Sequence, residues 1–214
     1  MANIFQATLA LTAAAANNIA ASQTPGAAGN LTLSAGATAG TTPEAARRIL
    51  FTPAGAEGAN GTIWTVYGTN RNGAALQETV TGVDNPSTVY TTQDFRTVTR
   101  IAVNKAQVGA VTVGTNGIAS SQWFMLNRAL TPVNVGIGVV VSGTINFTVE
   151  YTFDDPNEPY TGTFPTVFSI TALASKTANT DSALTTPAFA IRLTQNSFTA
   201  PGTALIIALQ AGLG

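Results

Sequence analysis

Short runs in which apolar and polar residues alternate, rich in Val, Ile, Thr and aromatic side chains, recur along almost the whole chain. A period of two residues is that of a β-strand, whose successive side chains point to opposite faces. Proline cannot donate a hydrogen bond to a strand ladder, and so it is expected between strands. The prolines that separate these runs are Pro53, Pro86, Pro132, Pro156, Pro165, Pro187 and Pro201.

This pattern predicts an all-β chain that forms an antiparallel β-sandwich of the jelly-roll-like kind, preceded by an extended N-terminal arm. The predicted strands are 30–34, 47–52, 63–69, 76–82, 87–92, 96–103, 110–114, 122–127, 135–141, 144–153, 167–172, 189–194 and 203–209.

The chain also contains a weak internal repeat. Gly-Thr-Ile at 61–63 precedes Trp64-Thr-Val, and Gly-Thr-Ile at 143–145 precedes Phe147-Thr-Val. Such a repeat is expected of two tandem small sandwiches. We therefore predict an arm at 1–42, a first half at 43–118 and a second half at 119–214, with the alternative that the two halves form one domain.

Composition excludes several classes of chemistry. The chain has no His and no Cys, so it cannot assemble a Ser–His–Asp or Cys–His nucleophile, a Cys/His zinc site or a disulfide framework. The nine basic residues are scattered along the chain, and the net charge is −1. Both observations argue against nucleic acid as a partner, because phosphate binding needs clustered basic side chains. The chain has no apolar run long enough for a transmembrane helix, so no membrane partner is expected. We predict a protein that is not an enzyme and has no cofactor.

The acidic cluster Asp154, Asp155 and Glu158 offers the only metal candidates, and they are weak ones. Carboxylates this close could bind Ca²⁺, or supply an acid/base pair for an enzyme. The spacing of a calcium loop is absent, and Asp, Pro and Asn are typical of turns that end a strand. We therefore predict a solvated turn and no metal.

Arginines and one tryptophan are the candidate interface residues: Arg47, Arg48, Arg128 and Trp123. In a chain of 9% charged residues, arginines beside apolar strands suit bidentate pairing with carboxylates of another subunit. The alternative is that they are ordinary solvated side chains. Exposed aromatics among Trp64, Trp123 and Tyr160 would instead favour a sugar-stacking surface, whereas large aromatics in strands more often belong to a core or an interface.

The strand surfaces carry Thr, Ser, Asn, Gln and Gly where most soluble proteins carry Lys and Glu. Neutral polar groups cost less to desolvate than charges do, and the centres of protein interfaces are depleted of charge. The composition therefore favours a protein that is surrounded by its own copies or by partner proteins.

Several phrases of the sequence resemble small virion structural proteins of tailed bacteriophages. They are the segments at 46–55, 64–73, 77–82, 90–98, 111–117, 141–144, 147–156 and 188–193. The resemblance implies a capsid decoration or cement protein in the virion, whose partners are the major capsid protein or other virion proteins and copies of itself, as a homo-oligomer such as a trimer. Alternatives are a neck or tail component, a glycan-binding host-recognition module, and an enzyme that uses Asp154, Asp155 or Glu158.

Overall fold

The computed structural model describes residues 3–34, 46–71, 73–129, 131–156 and 165–213. Strands dominate this part of the chain, and the strand pairs whose register is defined are antiparallel. The predicted all-β antiparallel class is therefore confirmed. The chain divides into two compact units: unit 1 comprises Met1–Ala13 and Ile118–Gly214, and unit 2 comprises Ala14–Gly117.

The described residues of unit 2 form eight strands and one short helix. They are β2 (Ala15–Gln23), β3 (Gly29–Asn30), β4 (Ala46–Pro53), α1 (Glu57–Asn60), β5 (Ile63–Thr69), β6 (Ala75–Thr81), β7 (Val89–Tyr90), β8 (Thr97–Val103) and β9 (Val111–Ser120), the last of which continues into unit 1. Alternation places one side of each strand inwards: in β6, for example, residues 76, 78 and 80 are buried and their neighbours are exposed.

The strand order of unit 2 is that of a jelly roll. One sheet has the order β2-β9-β4-β7 and the other has the order β3-β8-β5-β6. The first strand of the unit thus lies beside the last in one sheet, and the second beside the seventh in the other, as in an eight-stranded jelly roll. Phe51 of β4 stacks on Trp64 of β5 with 4.8 Å between ring centroids, and both side chains are fully buried, so the two sheets enclose one core.

Two buried carboxylates tie loops to this sandwich. Glu57 begins α1 and is fully buried. It accepts hydrogen bonds from the Thr62 hydroxyl at 2.6 Å and from the backbone N–H groups of Val108 and Gly109 at 2.9 Å each. Glu78 of β6 likewise accepts bonds from the backbone N–H groups of residues 92 and 93. Each charge is stabilised because several donors replace the lost water.

Unit 1 is built on an antiparallel pair of two very long strands, which other elements separate along the chain. Its elements are β1 (Asn3–Ala10), β10 (Phe124–Met125), β11 (Thr131–Thr152), β12 (Val167–Ser169), a 3-10 turn (Thr171–Leu173), β13 (Thr180–Leu184) and β14 (Ala190–Leu213). Strands β11 and β14 pair along almost their entire lengths, with register shifts between Ser142 and Thr144 and between Asn146 and Phe147. Such irregularities bend a ladder and increase its twist.

The bend folds this long strand pair back on itself. Strands β13 and β1 flank one end of the pair, while β12 and β10 flank the other end. The partners of Phe5 and Phe124 in β14 are Ala208 and Ile191. Along a straight strand these two would be roughly 55 Å apart. The rings of Phe5 and Phe124 nevertheless lie 5.6 Å apart. The two ends of the sheet therefore face each other and enclose the core of unit 1.

Some predicted strands merge in the structure. The predictions at 135–141 and 144–153 are both parts of β11, and those at 189–194 and 203–209 are both parts of β14. The break predicted between 141 and 144 coincides with a bulge in the β11–β14 ladder, where Gly143 has a φ of 81°.

The segment 1–42, for which the sequence predicts an extended arm, contains three strands in its described part. Strand β1 pairs with β14, β2 with β9, and β3 with β8, all within the chain. Residues 35–45 lie outside the described residues. The predicted division into an arm and two halves is untested and stays a prediction, as does the choice between one domain and two.

Candidate interaction surfaces

The first candidate surface is the outer face of the sheet β13-β11-β14-β1 in unit 1, called here the outer face. Alternate residues of these strands point away from the core, and large apolar side chains stand among them. The exposed fraction is 71% for Ile4, 47% for Val140, 39% for Ile207 and 43% for Leu209. The register places Ile4 beside Leu209, and Gly138 beside Ile207. An apolar stripe thus runs along β14, and the glycine leaves it uncovered.

Charge is nearly absent from the outer face. The positions that β1, β14 and β11 contribute to it are occupied by Ile, Gln, Thr, Ala, Leu, Gly, Val, Ser and Asn residues, and Asp181 of β13 lies at its margin. Large exposed apolar patches on soluble proteins commonly mark protein interaction sites, and interface centres are poor in charge. The outer face therefore has the chemistry of a protein-binding surface.

A second candidate surface is a trio of aromatic rings at the far end of β11. Tyr151 stacks on Phe168 of β12 at 5.4 Å, and Phe153 meets both rings at close to the same distance. Phe153 is 51% exposed and Phe168 is 40% exposed. This trio is not predicted as a group from the sequence, although the spacing of Tyr151 and Phe153 already places them on one face of a strand.

Trp123 takes part in a polar cluster within unit 1. The guanidinium of Arg192 lies 4.6 Å from the centre of the Trp123 ring, a cation–π distance. Arg192 also donates to the Glu150 carboxylate at 2.7 Å, and the Thr194 hydroxyl donates to the same oxygen. One face of the indole is thus covered by this chain's own arginine, which reduces the surface that Trp123 could offer to a sugar ring.

The candidate arginines find partners within the chain. Arg47 is 2% exposed and donates to the Asn116 carbonyl at 2.6 Å, and burial lowers the pKa of its guanidinium. An interface role for Arg47 therefore has almost no accessible surface through which to act. Arg48 forms an ion pair of 3.7 Å with Asp94. Arg128 is exposed and lies 4.2 Å from the ring centre of Phe189, so it remains available to a partner.

Asp154 and Asp155 of the acidic cluster lie just after β11, and the solvated turn expected there stays a prediction. The Asp154 carboxylate accepts a hydrogen bond from the Thr166 backbone N–H at 2.6 Å, and the Thr152 hydroxyl accepts one from the Asp154 N–H. Asp155 follows, half-buried, while Glu158 lies outside the described residues. Within the described ranges, no group of three or more carboxylates is placed to hold a metal ion.

The sugar-stacking alternative retains one of its three aromatic candidates among the described residues. Trp64 is fully buried against Phe51, so it belongs to the core of unit 2 and offers no surface to a sugar ring. Tyr160 lies outside the described residues. Trp123 is half-buried beneath Arg192. None of the described helices has the length and apolar character needed to cross a membrane.

Comparisons with known proteins give weak matches. No family model and no curated protein matches the chain. Two solved structures are similar to it at a low level: that of infectious bursal disease virus Gx strain and that of the infectious bursal disease virus VP2 subviral particle, each with a TM-score of 0.23. Identities are 12% and 13%, over 100% and 99% of this chain and 71% and 72% of the others. TM-scores of this size do not establish a common fold, so the fold assignment rests on the strand order described above. The resemblance to tailed-phage proteins stays a prediction.

Proposed function

We propose that this protein is a non-enzymatic structural subunit of a virus particle, and specifically a decoration or cement protein that binds the major capsid protein of the head. The observation that carries the proposal is the outer face of unit 1, which exposes Ile4, Val140, Ile207 and Leu209 with almost no charge around them. The jelly roll of unit 2 supports it, because this architecture recurs in viral capsid domains.

Physical reasoning favours a permanent assembly over a transient contact. Burying apolar surface contributes about 25 cal/mol per Å², so an outer face of this character is more stable when it is covered. Uncharged Thr, Gln and Ser residues around the stripe cost little to desolvate. In a shell, each copy can bind weakly, because many symmetry-related contacts act together. The mechanism is mechanical: the subunit spans neighbouring capsid proteins and resists their separation.

The alternative is a neck or tail component, such as a head–tail adaptor or a tube protein. The same outer face would then contact other virion proteins in a ring. The two roles differ in copy number, because a decorated shell needs many more copies than a ring at one vertex. The outer face supports both roles equally, and the resemblance noted in the sequence favours the head.

Electron microscopy of native particles with a gold-labelled antibody against this chain tests the proposal. Label distributed evenly over the heads is expected for a decoration protein. Label at one vertex or on the tail would favour the alternative. Particles without label would contradict both virion roles, and glycan binding by Trp123→Ala and by the unaltered chain would then be compared.

A reconstitution experiment tests the outer face itself. Shells that lack this chain are mixed with the purified protein, and bound copies are counted after sedimentation. Ile207→Asp places a charge on the apolar stripe and is expected to reduce binding at least tenfold. The matched control is Thr79→Asp, on an exposed position of β6 in unit 2, which should bind like the unaltered protein. Equal binding of Ile207→Asp would show that the outer face is not the contact.

A further inference from the structure

The edges of the two sheets differ in how well they are protected from pairing with another strand. An edge strand presents unpaired N–H and C=O groups, and natural proteins avoid unwanted pairing with short strands, charges, bulges or coverage. The edge strands β3, β7 and β10 are two residues long, and β12 is three residues long.

The longer edges are protected in other ways. Strand β13 carries the exposed Asp181. Strand β6 carries the buried carboxylate of Glu78, which binds the loop at 92–93. Strand β2 pairs irregularly with β9 and is covered on its other side, where the backbone N–H of Ser34 donates to the Ile19 carbonyl.

Strand β1 has none of these protections. Its eight residues pair with β14 in unbroken register from Asn3 to Ala10. The segment Asn-Ile-Phe-Gln-Ala-Thr-Leu-Ala contains no charge and no proline. No described strand pairs with its other side. About half of its backbone N–H and C=O groups therefore point outwards, as they do in any edge strand, and a second extended backbone can pair with all of them at once.

We infer that two copies of this chain pair through β1, antiparallel to each other, about a two-fold axis at Ala7. This register sets Phe5 against Leu9 of the second copy on the inner side. On the outer side it sets Gln6 against Thr8 and Ile4 against Ala10. Aromatic meets aliphatic and polar meets polar, and such cross-strand pairs stabilise a sheet. A centre at Gln6 would instead place Asn3 against the apolar Leu9.

The second copy fits this edge better than an unrelated strand for two reasons. A two-fold antiparallel pair brings nearby positions of the same strand together, so a charged strand would repel itself, and β1 is neutral. The pairing also makes the two outer faces continuous, because β14 lies directly beside β1 in each copy. The inference concerns the isolated protein and does not depend on its location in a virion.

The test uses charges at the two exposed polar positions, Gln6 and Thr8. In the proposed register, Gln6→Lys with Thr8→Lys sets a lysine of each copy directly opposite a lysine of the other, twice. We expect the unaltered protein to be a dimer by sedimentation equilibrium, and this variant to dissociate with a Kd raised about a hundredfold. Because 1 M salt shortens the Debye length to about 3 Å, it should restore part of the association.

A charge-swap variant separates pairing from damage to the fold. Gln6→Glu with Thr8→Glu should also be monomeric, yet an equimolar mixture of the Lys and Glu variants should form a heterodimer. The matched control is Gln77→Lys with Thr79→Lys, which makes the same substitutions at exposed positions of β6 and should leave the dimer intact. Hydrogen exchange of the β1 amides should become faster in the Lys variant at positions 3–10 and stay unchanged in the control.

Three results would overturn the inference. They are an unaltered protein that is monomeric at tens of micromolar, a trimer or another odd-numbered assembly, and a Lys variant that dimerises as well as the control does. A mixture of Lys and Glu variants that stays monomeric would also contradict the proposed register. Absence of label from virions would refute the proposed function and leave this dimer unaffected.

Discussion

Removing the carboxylate of Glu57 should lower the free energy of unfolding of the jelly roll considerably, although the residue belongs to a helix of only four residues. In Glu57→Ala, the backbone N–H groups of Val108 and Gly109 and the hydroxyl of Thr62 lose their acceptor together. An unsatisfied buried donor costs about 1–3 kcal/mol. The two N–H groups are only part-buried, so we take the lower end for them and expect a total loss of about 3–4 kcal/mol.

Glu57→Gln is the matched control. Its amide oxygen can accept the same two N–H bonds, and its amide nitrogen can donate to the Thr62 hydroxyl. The Thr62 hydroxyl then accepts bonds from both the amide of the Glu57→Gln variant and the Asn60 side chain, which lies 3.0 Å away. Its own hydrogen, which Glu57 accepts in the unaltered protein, loses its acceptor. We expect a loss of about 1–2 kcal/mol, because one donor and the charge assistance are lost.

The assay is guanidinium unfolding followed by the fluorescence of Trp64, the buried tryptophan of unit 2. The chain has two tryptophans, so the measurement is made with Trp123→Phe to remove the signal of unit 1. A folded domain typically has a stability of about 5–15 kcal/mol, so the Ala variant should show a large shift of its midpoint. If Ala costs no more than Gln, or less than about 1 kcal/mol, the carboxylate does not hold the loop as described.

Three further predictions follow from local geometry. Glu78→Ala should destabilise unit 2 by about 2–3 kcal/mol and speed hydrogen exchange at 92–93, where three hydrogen bonds end. Gly68→Ala would place its Cβ 1.9 Å from a backbone carbonyl oxygen and should cost about 3 kcal/mol, whereas Gly138→Ala has open space and should melt like the unaltered protein. Glu150→Ala removes the acceptor of the 2.7 Å bond from Arg192 and of the Thr194 hydroxyl, and a loss of about 2 kcal/mol should appear in thermal unfolding of unit 1.

Much of the fold could be predicted from the sequence because strands leave a local signal. The predictions at 63–69 and 96–103 agree with β5 and β8 within a residue, since both segments are rich in the Val, Ile and Thr residues that favour strands. Strand β1 was missed because alanine and threonine give it weak alternation. Its burial pattern depends on β14, which lies far away in sequence.

The candidate surfaces were less accessible from sequence, because a side chain's surroundings decide its role. Glu57 and Glu78 look like ordinary surface acids in the sequence, and the donors that surround them come from distant loops. Arg47 and Arg48 are adjacent, yet strand alternation turns one inwards and leaves the other partly exposed. The low charge of the strands was the informative signal, and it correctly indicated an uncharged surface.

The pairing of β1 with β14 has a consequence for the order in which the protein can fold. Asn3 pairs with Gln210, so unit 1 combines segments that are far apart in sequence and leave the ribosome at very different times. Unit 2 is contiguous from Ala14 to Gly117, and its residues are all available much sooner. Contacts between residues so distant in sequence form slowly. During synthesis, β1 is therefore complete long before its partner β14, and both of its edges are unpaired in that interval. Neighbouring nascent chains on the same polysome carry the same neutral strand, which can pair with it.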